Sequence, residues 1–261
     1  MCKYKKRAGT TDDELLLTRV IATRAAQLAA AAMDRPYQSV PSAADLRDAI
    51  LKTDPWVGFD QLLDHCWAAG IPVLHVNNFP SNAKKKPMGF TLRAKGRPAV
   101  VLCVEKKQPA WLLFILAHEL GHLHHGHVPE NGALLDETVN ENLPDVEEDQ
   151  ADRYAIELLT GNSATSLHVG GRWPKADRLA QLAREFGRRN RVDPGHVVLN
   201  CAHTEGGGFW AVANAALKLL YPDNDAIKIV SERLAANLDW EKLPEDSSEF
   251  LMRITRQESR G

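Results

Sequence analysis

Apolar residues recur three and four positions apart through most of this chain, as they do on the buried face of a helix. Between residues 71 and 104 this spacing gives way to short strand-like runs. The pattern therefore predicts an α+β protein, mostly helical, with one small sheet. The predicted helices begin near Thr11, Ser42, Phe59, Pro109, Glu147, Pro174, Pro194, Phe209 and Asp225.

The strand-like runs lie just ahead of the helix that begins at Pro109. Residues 71–76 form the first run, and the runs 88–93 and 98–104 are separated by a short turn-like segment, which favours a hairpin. Polar residues fill 77–87, and residues 126–146 are loop-like and acidic, so we expect loops there. After Asp239 the chain is polar and shows no clear pattern.

Local sequence signals mark several helix ends. Thr11 and Glu14 form a T-x-x-E capping box, and Ser42 is followed by Asp45 at the same spacing. Asp193 precedes Pro194, so we expect the aspartate to cap a helix whose first residue is the proline.

Composition adds limits on compartment and partners. The chain has 261 residues and a net charge of −2, which gives no overall attraction to nucleic acid or membrane. Its four cysteines form no C-x-x-C pair, as is typical of reduced thiols. The basic N-terminus is not followed by an apolar segment, and no apolar run approaches the ~20 residues of a membrane span. We therefore expect a soluble, cytoplasmic protein.

The clearest chemical motif is the sequence HELGH at residues 118–122, at the end of an apolar run. Two histidines four apart project from one face of a helix, so His118 and His122 can share one divalent metal ion. Glu119 lies about 100° around the helix, where it can reach a metal-bound water without being a ligand. This is the arrangement of a zinc hydrolase.

A catalytic zinc usually takes three protein ligands and keeps a position for water. Glu148 is the best third ligand, because it begins a predicted helix after a loop long enough to turn that helix back. Asp152 lies one turn further on and could accept the outer N–H of a ligating histidine. Glu119 is then the expected general base.

HELGH followed by E-x-x-A-D-x-[FY]-A at residues 148–155 resembles the ImmA/IrrE family of metallopeptidases. The resemblance covers residues 55–160 well and the helices after Pro174 more weakly. It implies a thermolysin-like zincin core, with a small sheet packed on the HExxH helix and with mostly helical N- and C-terminal parts. On this basis residues 1–54 are an N-terminal helical segment, 55–174 the peptidase core and 175–261 a C-terminal helical subdomain.

The resemblance also implies a function and a ligand set. Members of the family typically cut helix-turn-helix repressors and so derepress phage, mobile-element or stress genes. His118, His122 and Glu148 would bind zinc and Glu119 would be the base. Glu147 and Asp149 could replace Glu148 in a register slip, but Glu148 alone has the family's spacing to Ala151-Asp152. Tyr154 stands where the family usually has Phe.

Two further features near the motif have alternative interpretations. Cys103 lies in the strand before the metal helix, which commonly forms the edge that receives the substrate. Relatives that regulate anti-phage operons use a cysteine in this region to cap the zinc, and Cys103 could do so. It could equally be a small buried residue of an apolar strand. His124, His125 and His127 could be auxiliary ligands, or histidines that favour the helix C-terminus.

Two basic clusters stand out. One contains Lys84, Lys85 and Lys86 with the arginines of the hairpin, and the other contains Arg188, Arg189 and Arg191 with Arg184. Both could bind DNA phosphates, and single-stranded DNA activates some of the similar proteins. Such charge runs are also common as solvated faces.

The candidates to stabilise the oxyanion are Tyr154, His168, His203 and several arginines, and linear sequence does not rank them. The alternative function is a DNA- or repressor-binding regulator whose zinc site is structural or degenerate. A structural zinc is normally closed by four protein ligands, whereas three with a nearby carboxylate favour hydrolysis.

Overall fold

The computed structural model of this chain describes residues 12–76, 88–129, 132–134 and 146–255. The Thr11 capping box and the three lysines at 84–86 lie outside these ranges. Within them the fold is α+β and mostly helical, as the sequence predicted. None of the helices in these ranges is both long and apolar enough to span a membrane.

The described residues form ten α-helices and one short 3-10 helix. The helices are α1 (Asp12–Ala31), α2 (Ala43–Ile50), α3 (Phe59–Ala68), α4 (Pro109–His124), α5 (Val146–Thr160), α6 (Ala176–Asn190), α7 (Pro194–Glu205), α8 (Phe209–Leu220), α9 (Ala226–Asn237) and α10 (Glu245–Ile254). The 3-10 helix spans Trp240–Lys242.

The strands are β1 (Val73–His75), β2 (Gly89–Ala94), β3 (Arg97–Leu102) and β4 (Gly132–Leu134). They form one sheet in the order β1-β3-β2-β4. The predicted hairpin is confirmed, since β2 and β3 pair antiparallel around a turn in which Lys95 and Gly96 have positive φ. β1 is parallel to β3, and β4 is antiparallel to β2.

Three elements differ from the sequence prediction. β4 lies in the stretch predicted to be a loop, and three residues are too few to show an alternating pattern. α10 and the 3-10 helix lie in the polar tail, where no element was predicted. Leu251 and Ile254 are buried there, three residues apart, and the partly buried Phe250 packs on the same core, so these apolar positions dock the helix.

The predicted caps at Ser42 and Asp193 are confirmed. Ser42 Oγ accepts a hydrogen bond from the backbone N–H of Asp45 at 3.1 Å. Asp193 Oδ1 accepts one from the backbone N–H of His196 at 2.9 Å, and Pro194 is the first residue of α7. Each cap satisfies a donor that the first helical turn leaves without a partner.

The core has two parts that meet at α4. The larger part contains the sheet, helices α1 to α5, and also α9 and α10. The smaller part is formed by α6, α7 and α8 against Ala110. Trp111 packs on both parts and stacks on Trp210 of α8, with ring centroids 5.6 Å apart. The N-terminal half of α4 is therefore enclosed by both parts of the core. Its C-terminal half lies beside α5, where Gly121 approaches the backbone of Ala151.

Candidate metal centre

α4 carries both histidines of the HELGH motif on a buried face. Its first turns are apolar, and His118 and His122 are 8% and 3% exposed. Their Nε2 atoms lie 3.0 Å apart. A helix places residues four apart on one side, so this pair follows from the sequence spacing alone.

α5 brings Glu148 to the two histidines. One carboxylate oxygen lies 3.2 Å from His118 Nε2, and the other lies 3.1 Å from His122 Nε2. The two helices approach closely at Gly121, where a Cβ atom would lie 2.9 Å from the backbone of Ala151. The glycine of HELGH is thus required for this contact between the helices.

His118, His122 and Glu148 form a group that could hold a metal ion. Tetrahedral zinc with ligands at about 2.0–2.2 Å separates its ligand atoms by roughly 3.3–3.6 Å. The observed separations of 3.0–3.2 Å are only a few tenths of an ångström shorter. Two imidazoles and one carboxylate are also a donor set that suits zinc chemically. The residues present therefore fit such an ion.

Asp152 orients the first of the two histidines. Its Oδ1 lies 2.9 Å from His118 Nδ1, so the imidazole donates its Nδ1–H to the carboxylate. This bond keeps Nε2 as the nitrogen that faces Glu148 and His122. Buried carboxylates behind ligating histidines are common in metal sites, where they fix the tautomer.

The charges of the group are strongly coupled. Burial alone would lower the pKa of His118, but hydrogen bonds with Asp152 and Glu148 outweigh it and raise the pKa to about 10. Burial would raise the pKa of Glu148, but its hydrogen bonds with His118 and His122 lower it well below the usual value. The arrangement thus stabilises positive charge between two carboxylates, which is also what a divalent cation requires.

Glu119 is buried beside the ligands and is held by a residue that the sequence did not single out. Thr91 of β2 donates its hydroxyl hydrogen to Glu119 Oε2 at 2.7 Å. Burial raises the pKa of Glu119, and the charges of His118 and His122 with the Thr91 bond oppose this rise. The only sequence signal for Thr91 is a polar residue between the buried Phe90 and Leu92.

Gly89 of β2 faces the other side of the Glu119 carboxyl. A Cβ atom at this position would lie 3.1 Å from Glu119 Oε1 and 2.6 Å from Ile115. Glycine at 89 therefore lets β2 pack directly against Ile115 and Oε1 of Glu119. Glu119 thus has Oε2 held by the Thr91 hydroxyl and Oε1 close to the backbone of β2.

A cleft of about 580 Å³ opens beside the centre, between α5 and α7. Its lining includes Asp152, which contacts His118, although the three proposed ligands are not part of the lining. Trp111 and Phe114 of α4 contribute aromatic surface, and His196 and His203 of α7 contribute polar groups. The sequence did not predict this cleft, because α7 meets α4 only through tertiary packing.

The three oxyanion candidates that are not arginines occupy different places. Tyr154 is buried, and its hydroxyl donates to the backbone carbonyl of Pro41 at 3.0 Å. The His168 side chain is 69% exposed, with its Nδ1 3.8 Å from a Glu205 carboxylate oxygen. His203 alone of the three lines the cleft. Arg153, an arginine near Tyr154 in the sequence, also lines the cleft.

Cys103 does not belong to the metal-competent group of side chains. It is buried directly after β3, and its backbone N–H donates to Met88 O at 2.9 Å. The expectation that its strand forms an edge is wrong, because β3 lies between β1 and β2 among the described strands. We therefore do not propose a cysteine cap on the metal.

The C-terminal arginines have unequal roles. Arg188 and Arg189 are exposed on α6. Arg191, predicted with them as a DNA contact, instead donates from its guanidinium to the backbone carbonyls of Leu51 and Asp54. Its guanidinium therefore joins the end of α6 to the segment after α2, although the side chain remains exposed like those of Arg188 and Arg189.

A scan against protein-family models and searches of curated proteins and of solved structures find no match to this chain. The interpretation of the centre therefore depends on its residues and geometry. Those establish a helical α+β fold and a two-histidine, one-glutamate group suited to a metal ion.

Proposed function

We propose that this chain is a zinc-dependent endopeptidase that hydrolyses a peptide bond in a partner protein. The observation that supports this most directly is the position of Glu119. Three other side chains form a group that could hold a metal ion, while Glu119 lies beside them on α4 and accepts a hydrogen bond from Thr91. A structural zinc site would use a fourth protein ligand, whereas three ligands with a separate carboxylate suit hydrolysis.

Zinc, when bound, would supply Lewis acidity and an acidic water near neutral pH. Glu119 would take the proton of the attacking water and later deliver it to the leaving amine. Because Thr91 donates its hydroxyl hydrogen to Oε2, the proton would reside on Oε1. Asp152 would keep the Nδ1–H of His118 in place and so leave its Nε2 to the metal.

The cleft between α5 and α7 supports an extended substrate. It reaches the centre at Asp152, and Trp111 and Phe114 offer aromatic surface to an apolar side chain. His203 is the proposed donor to the oxyanion, because it shares the cleft with Asp152.

The substrate class comes from the ImmA/IrrE-like motifs. HELGH and the residues at 148–155 resemble those of peptidases that cut helix-turn-helix repressors. We therefore propose such a repressor as the partner, with derepression of its operon as the result. A thermolysin-like arrangement of the core belongs to the same proposal and is supported by a sheet packed against α4.

The direct test is Glu119→Gln, assayed by incubating the purified protein with helix-turn-helix repressors of its own genome. We expect specific fragments with the wild type, and a loss of cleavage of about 10²–10⁴-fold with the variant, since general-base catalysis contributes about this much. Metal analysis should show equal zinc in both proteins, because Glu119 is not a ligand.

Glu249→Gln on α10 is the matched control, since this glutamate is exposed and lies far from α4 along the chain. It should cleave as the wild type does. Undiminished cleavage by Glu119→Gln would refute the assigned mechanism. A wild type that binds a repressor and DNA without producing fragments would favour the non-proteolytic regulator instead.

A further inference from the structure

His122, the second histidine of the HELGH motif, is contacted by a residue of the turn that ends α4. Gly126 has a φ of 73°, and the backbone N–H groups of Gly126 and His127 donate to the carbonyls of Leu123 and His122. These are the paired bonds of a Schellman motif, which reverses the chain onto the last turns of its helix. The reversal places His127 over His122.

The two imidazoles meet through their Nδ1 atoms, which lie 3.0 Å apart. On the other side of its ring, His127 Nε2 lies 2.9 Å from the side-chain oxygen of Gln150 on α5. A chain of hydrogen bonds therefore runs from Gln150 through His127 to His122. Both ring nitrogens of His127 are engaged in it, which argues against an auxiliary ligand role for this histidine.

The direction of these bonds follows from the amide oxygen. An oxygen can only accept, so His127 must carry its proton on Nε2 when its ring is neutral. Its Nδ1 then has a lone pair and accepts the Nδ1–H of His122. With that proton on Nδ1, neutral His122 has its lone pair on Nε2, which is the atom that faces Glu148.

We propose that His127 is a positioning residue of the metal centre, and that Gln150 selects the His127 tautomer that leaves His122 Nε2 free for the metal. The two ligating histidines would then be oriented by different means. Asp152 holds His118 with a carboxylate, and Gln150 holds His122 through an intervening imidazole. The proposal rests on metal binding as proposed above, but not on proteolysis.

The first test measures zinc affinity at pH 7.5 by competition with a chromophoric chelator. Removing a group that orients a ligand typically costs 10- to 100-fold in metal affinity, so we expect a loss in this range for His127→Ala. His127→Asn should recover part of it, because the asparagine side-chain oxygen lies near the place of Nδ1. Gln150→Glu should retain affinity, whereas Gln150→Met should lose it.

His125→Ala is the matched control. His125 belongs to the same histidine-rich tail and stacks on His127, with ring centroids 5.4 Å apart, but it is exposed. We expect its variant to bind zinc as tightly as the wild type. Wild-type affinity in His127→Ala would overturn the proposal, and so would equal losses in His127→Ala and His127→Asn, which would indicate packing alone.

A second measurement needs no substitution. In zinc-loaded protein labelled with ¹⁵N-histidine, we expect a protonated Nδ1 for His122 and an unprotonated Nδ1 for His127. The reverse pattern would overturn the proposal even if the variants failed to fold. Failure of the wild type to bind zinc would overturn it together with the metal centre, whereas the absence of cleavage would count only against the proposed peptidase.

Discussion

His196 is a buried histidine without a hydrogen-bond partner for either ring nitrogen among the described residues. Its ring stacks on Phe114, with centroids 6.1 Å apart, and lines the cleft. Burial is the main cause that lowers its pKa, to about 4. The imidazole is therefore neutral at physiological pH and makes the cleft polar without adding charge.

This low pKa predicts a dependence of stability on pH. The unfolded chain binds the His196 proton with a pKa near 6.5, and the native state does so only near 4. The native state therefore loses stability relative to the unfolded state as the pH falls from about 6.5 to 4. At 1.36 kcal/mol per unit, the loss is about 3 kcal/mol.

We expect His196→Leu to remove this component from the free energy of unfolding, measured in urea between pH 4 and 7. The metal centre also responds to acid, but equally in both proteins, so the difference between them isolates His196. His168→Gln on the surface should follow the wild type. If the free energies of unfolding of His196→Leu and the wild type changed in parallel between pH 4 and 7, the prediction of a low pKa for His196 would be wrong.

At the scale of elements, the candidate metal centre depends on how closely α4 and α5 pack. Gly121 allows the contact, because any Cβ there would press on the backbone of Ala151. Backbone atoms cannot move aside as the end of a flexible side chain can. A larger residue at 121 would therefore displace α5, which carries both Glu148 and Asp152.

Gly121→Ala should accordingly lower the free energy of unfolding by about 1–3 kcal/mol, the usual cost of overpacking. Replacing glycine by alanine within a helix normally raises the free energy of unfolding by up to about 1 kcal/mol, so the expected change has the opposite sign. Zinc affinity should fall as well, since Glu148 would move away from the histidines.

Urea unfolding of the metal-free protein and chelator competition would measure the two effects of Gly121→Ala. Gly170→Ala provides the control, because a Cβ at 170 would meet nothing within 4 Å. An unchanged or raised stability in Gly121→Ala would mean that α5 adjusts without cost.

For the whole molecule, one buried guanidinium joins three helices. Arg47 of α2 donates to the carbonyls of Leu158 and Leu159 at the end of α5, both at 3.0 Å. It also donates to the carbonyls of Asn190 and Arg191 at the end of α6, at 3.4 and 2.7 Å. The final carbonyls of a helix have no partner within it, so Arg47 satisfies two helix ends at once.

Arg47→Met retains most of the side-chain length but removes all four donated bonds. We expect the free energy of unfolding to fall by about 2–4 kcal/mol, because buried carbonyls are left without partners. Arg178→Met, an exposed arginine on α6, should change it by less than about 0.5 kcal/mol. A loss below about 1 kcal/mol for Arg47→Met would show that water replaces the guanidinium.

What the sequence determined is local in origin. The pairing of His118 with His122, the position of Glu119 and the caps at Ser42 and Asp193 all depend on spacings of one to four residues. Helix geometry converts such spacings directly into distances. The Schellman turn that carries His127 belongs to the same class, since a glycine four residues after His122 marks it.

Tertiary structure decided everything that joins distant segments. Thr91 contacts Glu119 across 28 residues of sequence. Arg47 contacts the ends of α5 and α6, and more than 100 residues separate it from the end of α5. Tertiary structure also decided the order of the strands, which places β3 inside the sheet. It likewise decided that α9 and α10 pack with the larger core and not with α6–α8. The spacing of apolar residues indicates which face of an element is buried, but not which other element covers that face. Only tertiary packing therefore selects these contacts.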